Sequence, residues 1–247
     1  MDSASIPVEK NRNKRWGYPM STVPKPSHAN QLADSHGGIS INIIAGNLSR
    51  RELRRRMWHM LPGLTPFVLW PIEHADPLSP TLKLIILAVA VLVAGSIYVK
   101  FRHVSRDSSE NRAEAVLGYV MSVLGSLLLF PAHPEIGFTV LAVLAFGDGS
   151  ATFGGLLFPS RSLPWNQDKT VSGMFSFILM GTIMASVIYW GEANPGVDWM
   201  SALLIAVPTS ICAAIAESLP VRLNDNVRVG VVAAIVAPIA HYFVLGF

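Results

Sequence analysis

The chain of 247 residues is 51% hydrophobic, and only 14% of it is Asp, Glu, Lys or Arg, against about 25% in a soluble domain. That balance excludes a disordered protein, a coiled coil and a nucleic-acid module, and the single cysteine, Cys212, excludes an intramolecular disulfide framework or a cysteine-based zinc site. The formal charge is only +3, so where the charges fall says more than their sum.

Residues 1–46 read as a basic, polar tail of Lys, Arg, Pro, Ser, Asn and Gly, without the apolar core of a cleavable signal peptide. Such a tail is expected to be flexible. Its cations would sit beside anionic phospholipid, each attracted by ~1 kcal/mol. Ser49 and Glu52 have capping-box spacing and predict a helix opening at Arg50. Arg50, Arg51, Arg54, Arg55 and Arg56 form a basic collar, and His59, four residues after Arg55, shares that residue's helix face.

Seven apolar runs follow, at 60–72, 82–99, 115–130, 136–146, 174–190, 202–216 and 227–247. About twenty helical residues cross a hydrocarbon layer. Three of the runs approach that length unaided; the rest reach it with flanking Gly, Ser, His or Pro, or by tilting. None alternates with period two, as a lipid-facing barrel would require. The expectation is an all-α polytopic membrane protein of about seven transmembrane helices, with residues 47–247 forming a single membrane domain. If the tail is cytoplasmic, every Lys and Arg of the 19 except Lys83 falls on the cytoplasmic side, while Glu73, Asp76, Glu135, Glu192 and Asp198 fall opposite. This is the positive-inside pattern, with the C-terminus on the far side.

Conspicuous polar sequence gathers in three places on that cytoplasmic side. Residues 147–155 place Asp148 and Ser150, with Thr152, among Gly147, Gly149, Gly154 and Gly155, and the chain continues to Lys169-Thr170 and Gly173. Glycines expose backbone N–H groups and admit a phosphate, and Lys169 adds a compact positive charge. The same glycines would also suit a close helix contact. Glu217 ends the sixth run, and Asn224-Asp225-Asn226 precedes the seventh, where at least one of the three is expected to cap the helix. Carboxylates at membrane depth are costly and tend to be functional. Asp148, Glu217 and Asp225 together would offer hard oxygen ligands of the kind Mg²⁺ uses beside phosphates. His59, near arginines, could hydrogen-bond a phosphate or relay a proton. The other histidines show no metal-ligand spacing.

These motifs together resemble the dolichol kinase, phytol/farnesol kinase and CTP-dependent diacylglycerol kinase family: residues 147–155, Lys169-Thr170, Gly173, Glu217-Ser218-Leu219-Pro220 and Asn224-Asp225-Asn226, with Arg55-Arg56-Met57-Trp58-His59 and Gly63 ahead of them. The resemblance covers about residues 50–247. It implies a multi-spanning enzyme that moves a phosphoryl group from CTP, or another nucleotide, to a lipid alcohol entering from the bilayer, at an active site on the cytoplasmic face. It further implies Asp148, Glu217 and Asp225 on Mg²⁺, and Lys169 with Arg55 or Arg56 on the transferring phosphate. Glycine N–H groups, Ser150, Thr152, Thr170, Asn224 and Asn226 would line the nucleotide site, with Glu217 or His59 as general base. Arg56 stands where the family commonly has Lys. Phe158, Pro159, Pro164 and Trp165 replace a small, basic Gly-rich stretch. Phosphatidate cytidylyltransferases are related in membership, but their carboxyl-terminal signature is absent. An ion-coupled transporter would also use broken helices, yet no internal repeat is visible.

Overall fold

The computed structural model describes residues 50–70, 79–101 and 109–246. The expected tail at 1–46, Ser49, Glu73, Asp76, Arg102 and Arg106 lie outside the described residues. The chain runs α1 (Arg50–Met60), a 3₁₀ turn (Leu61–Leu64), α2 (Thr65–Leu69), α3 (Pro80–Phe101), α4 (Ser109–Leu129), α5 (Pro134–Ala142), a π-turn (Val143–Gly147) and α6 (Asp148–Leu157). A hairpin of β1 (Ser162–Leu163) and β2 (Asn166–Thr170) leads into α7 (Val171–Glu192), α8 (Trp199–Ser218) and α9 (Asp225–Leu245). The fold is all-α apart from this hairpin, which the sequence did not suggest.

Among the described residues, four helical stretches are long and apolar enough to cross a membrane: Pro134–Leu157, Val171–Glu192, Trp199–Ser218 and Asp225–Leu245, with shorter apolar segments at Pro80–Val89 and Val116–Leu129. The fourth run is thus longer than expected. Residues 147–155 are not a loop: α5, the π-turn and α6 form one continuous span. Helix costs these glycines about 1 kcal/mol each relative to alanine, but packing overrides propensity. A Cβ on Gly154 would lie 1.9 Å from Ser176 Oγ, one on Gly147 2.7 Å from Phe177, and one on Gly149 2.4 Å from Met60. Missing side chains bring α7 and α1 against the span.

The outer faces of the last three helices carry large apolar side chains. Phe175, Leu179 and Ile183 on α7, Leu204, Val207, Ile211 and Ile215 on α8, and Val231, Ile235, Ile239 and Phe243 on α9 are exposed in rows three or four residues apart. The buried faces carry Ala185 and Ser186, then Ala206, Thr209, Ser210, Ala213 and Ala214, then Ala233, Ala237 and Ala240. The large side chains turned outward meet lipid, and the small buried ones let the helices approach closely beside the fully buried Phe177, Ile188, Tyr189 and Ile205. Each of α7, α8 and α9 has a start signal. Thr170 accepts from Gly173 N, Asp198 from Ser201 N and Asn224 from Asn226 N, and Gly246 at φ 83° closes α9.

The first apolar run is broken by Pro62 and Pro66 into α1, the 3₁₀ turn and α2. Its course is fixed at two levels. Gly63 packs on Ala145 and Phe146 of the π-turn, while Trp70 Nε1 donates to Gly191 O at 2.6 Å near the far end of α7. The indole lies where any side chain on Gly191 would go, since a Cβ there would meet Trp70 Cζ2 at 1.4 Å.

Candidate functional site

Two polar clusters meet at the end of the bundle where α7 and α9 begin and α8 finishes. The deeper one centres on Asp148, the first residue after the π-turn and only 8% exposed. The extra backbone residue of a π-turn re-aims the side chains after it, and such turns recur at functional sites. Ser150 locks it, its hydroxyl lying 2.8 Å from Gly147 O and 3.0 Å from Ser176 O. Asp148 Oδ2 faces Arg56 Nη1 at 3.4 Å and His59 Nε2 at 3.1 Å. Arg56 and His59 are three residues apart, so one face of α1 presents both. His59 Nε2 also lies 3.2 Å from Leu144 O. Carbonyl and ionised carboxylate can only accept, so Nε2 carries the proton and donates. Tyr119 stacks edge-on to the His59 ring at 5.3 Å between centroids. Its Oη is buried without a hydrogen-bond partner among the described residues, and it lies within electrostatic reach of Asp148.

The shallower cluster is built on Lys169 of β2. Its ammonium pairs closely with Glu217 at the end of α8 and lies 3.3 Å from Asp225 Oδ2 at the start of α9. Arg228, one turn along α9, pairs closely with the other Asp225 oxygen and also donates to Ala216 O at 3.0 Å. The hairpin aims Lys169. Trp165 Nε1 donates to Ser218 Oγ at 3.1 Å and Asn166 Nδ2 to Ser218 O at 3.0 Å, so the Pro- and Trp-containing stretch latches onto the residue after Glu217. Burial alone would lower the Lys169 pKa. The Glu217 carboxylate, followed by Asp225 and Asp148, more than offsets this and holds it above the ordinary lysine value. Lys169 is therefore a permanent cation at neutral pH. Asp148 feels it, and Glu217 in turn feels Asp148, so the two clusters form one electrostatic unit.

The residues singled out in the sequence divide into groups. Asp148, Lys169, Glu217, Asp225, Arg56 and His59 come together, and Arg55 is half-buried beside them on α1. Thr170 and Asn224 serve as helix caps, Asn226 supplies the capped N–H, and Thr152 is half-buried in α6. Gly147, Gly149 and Gly154 are closed by Phe177, Met60 and Ser176, and Gly155 faces Thr170 Oγ1 at 2.8 Å from a would-be Cβ. They lie in helix, where the backbone N–H groups serve the helix ladder, and they make the close helix contact that was the alternative to phosphate binding. The three carboxylates expected to hold an ion are spread apart. Ligand atoms of Asp148, Glu217 and Asp225 do not gather within 4.8 Å of one another; among the described residues the trio that does is His133, Glu135 and His241. The physical reason is Lys169, whose ammonium already stands between Glu217 and Asp225. Tyr119 escaped the sequence reading because it lies inside an apolar run.

No protein-family profile matches the chain, and no solved structure does either. Curated relatives do. The chain is 28% identical to phytol kinase 1, chloroplastic, of Arabidopsis thaliana over 199 residues, covering 74% of this chain and 64% of the relative. It is 29% identical to a probable phytol kinase, chloroplastic, of Triticum aestivum over 274 residues, covering 95% and 91%. It is 25% identical to farnesol kinase, chloroplastic, of Arabidopsis thaliana over 197 residues, covering 75% and 64%. The chain spans just under two thirds of the length of the first curated relatives it matches, 64% and 65%. Motifs and relatives agree: the chain is similar in sequence to phytol and farnesol kinases.

Proposed function

We propose that the chain is a membrane-embedded lipid-alcohol kinase that transfers a phosphoryl group from a nucleoside triphosphate, with CTP the expected donor, to the hydroxyl of an isoprenoid alcohol. The observation that carries this reading is the linked set Arg56–Asp148–His59 and Asp225–Lys169–Glu217, drawn from five separate elements to one end of an apolar bundle. Relatives named phytol and farnesol kinases support the substrate class. Phosphoryl transfer requires in-line placement and charge neutralisation more than covalent chemistry.

The geometry supports a role for each of these side chains. Lys169 and Arg228 are cations held beside carboxylates at a half-exposed boundary, where an incoming polyphosphate competes for them. Arg56 is the third cation, 20% exposed at its side chain and paired with Asp148. His59 donates to Asp148 and positions it, fixing the ionised carboxylate beneath the phosphate cations. Glu217, buried at 4% exposure and freed when Lys169 turns to phosphate, is the general base for the alcohol. A magnesium ion would be held by one or two of these carboxylates with the nucleotide phosphates, as Mg²⁺ prefers, and would neutralise charge on the transferring group. Asp225, 45% exposed at its side chain, fits that use best. The alcohol approaches laterally, since the lipid-facing rows of α7–α9 leave its chain in an apolar medium.

The same reading covers topology. The N-terminal tail at 1–46 lies on the cytoplasmic side and adheres to anionic phospholipid, and residues 47–247 act as one catalytic domain. α1 to α2 complete a seventh crossing and the site faces the cytoplasm. Lys169, Arg161, Arg222 and Arg228 at one end, against Glu135, Glu192 and Asp198 at the other, support this orientation.

The test is purified full-length protein in lipid nanodiscs with CTP labelled at either the γ-phosphate or the base, offered phytol, farnesol, diacylglycerol and phosphatidate. γ-Label appearing in a phosphorylated alcohol supports the proposal. Base label appearing in phosphatidate-derived lipid with pyrophosphate release overturns it in favour of a cytidylyltransferase, and absence of either product with solute flux into vesicles overturns it in favour of a carrier.

A further inference from the structure

At the opposite end of the bundle, three residues of no shared sequence motif converge. His133 ends the loop before α5, Glu135 is in the first turn of α5, and His241 lies in the last turns of α9. From Asp225 to His241 is about 24 Å along α9 at ~1.5 Å per residue, so this cluster is remote from Lys169. Glu135 Oε1 lies 3.1 Å from His133 Nδ1 and 3.8 Å from His241 Nδ1. The two imidazole centroids are 4.5 Å apart. Tyr189 of α7 brings its hydroxyl to 2.6 Å from His241 Nδ1. Glu135 and His241 are each only 3% exposed, and Tyr189 is fully buried.

We propose that His133, Glu135 and His241 form a binding site for a divalent transition metal of the zinc class. The argument is one of donor type and spacing. Bonds of about 2.0–2.2 Å at tetrahedral angles set neighbouring ligand atoms roughly 3.3–3.6 Å apart, and the observed 3.1 Å and 3.8 Å bracket that interval. Two imidazole nitrogens and a carboxylate oxygen suit zinc, whereas the all-oxygen set that magnesium or calcium prefers is missing here. One metal ion shared by all three ligands would neutralise the buried Glu135 carboxylate. In the metal-free arrangement the Tyr189 hydroxyl and His241 Nδ1 share a hydrogen bond. When the His241 nitrogen turns to the metal, Tyr189 Oη stands beside it as a fourth ligand, or a water takes the position. Such an ion joins the start of α5 to the end of α9 next to α7, a staple at the far end of the helices that carry Asp148, Lys169 and Asp225 at the other. It goes beyond the kinase reading and does not depend on it.

The test uses full-length protein in detergent, stripped with chelator and titrated with Zn²⁺ against a chromophoric competitor, with Co²⁺ as spectroscopic probe. We expect one Zn²⁺ per chain, visible Co²⁺ bands of four- or five-coordinate intensity and a metal-dependent rise in Tm. H133A and E135Q should each weaken binding by about 10–100-fold or more and abolish the Co²⁺ bands. His133 is partly exposed at 27% of its side chain, so H133A tests the site even if a change at buried His241 prevents folding. No stoichiometric Zn²⁺ in the wild type overturns the proposal. So does unchanged affinity in both H133A and E135Q, which would assign the ion to histidines elsewhere in the chain.

Discussion

The two ends of this bundle solve the same problem, buried carboxylates in an apolar protein, with different chemistry. At the Lys169 end, Glu217, Asp225 and Asp148 meet Lys169, Arg228 and Arg56, groups that keep their charge across the physiological range. At the His241 end, Glu135 meets two imidazoles and a phenol sits beside them. Fixed cations at a partly exposed boundary can be handed from protein carboxylate to phosphate, so that end suits repeated binding and release of a polyphosphate. Imidazoles in a closed corner suit a ligand that stays. The contrast separates a candidate reaction centre from a candidate staple on the same helices.

The largest effect expected is at Asp148. Asp148→Asn should lower phosphoryl transfer by about 10²–10³-fold, the scale of a lost preorganised electrostatic group, with Tm near wild type, read by initial rates beside a melting curve. Near-normal turnover would break the assignment of the Lys169 end as the reaction centre.

Next is the ion pair itself. Lys169→Met leaves Glu217 buried without its cation, and breaking a buried pair one-sidedly costs about 3–5 kcal/mol. Lys169 is 28% exposed at its side chain, so solvent screening reduces this to about 1–3 kcal/mol. The double variant Lys169→Met with Glu217→Gln should recover most of the lost Tm while staying inactive. Equal melting of single and double variants would show that the pair is not coupled.

Glycine packing comes third. Gly154→Ala forces a methyl onto Ser176 and should cost about 1–3 kcal/mol. Gly125→Ala, where a Cβ meets nothing within 4 Å, should be neutral or stabilising by up to ~1 kcal/mol. Chemical denaturation of both variants checks the pair, and reversed signs would contradict the close approach of α6 and α7.

The smallest effect expected is that of pH. The folded pKa of Lys169 is raised above its unfolded value, so its stabilising contribution is fully present below the ordinary lysine value, ~10.4, and fades only as pH rises through the folded value. Stability between pH 7 and 10 should therefore show no loss from this group. A falling limb in that window that vanishes in Lys169→Met would contradict the shift.

How much of this was readable in the chain depended on whether the signal was local. Runs 174–190, 202–216 and 227–247 are uninterrupted, and α7, α8 and α9 followed them with caps at Thr170, Asp198 and Asn224. Residues 147–155 left phosphate binding and close helix contact both open, because the partners that fill the spaces beside the glycines, Phe177, Met60 and Ser176, are distant in sequence. The β-hairpin is two short strands held by Trp165 and Asn166 on Ser218, a tertiary latch with no local pattern. Asp148, Lys169, Glu217 and Asp225 stood out because charge is rare in apolar sequence. His133 and His241 did not, because their convergence depends on how α5 and α9 pack.

The most direct measurement is γ-phosphate transfer from labelled CTP to phytol or farnesol in nanodiscs, comparing wild type with Asp148→Asn and a Gly125→Ala control. The account predicts phosphorylated alcohol from wild type and control, and a loss of about 10²–10³-fold in the Asp148 variant. Transfer that survives unchanged in Asp148→Asn, or a wild type that leaves the γ-phosphate on the nucleotide with every alcohol offered, would contradict it.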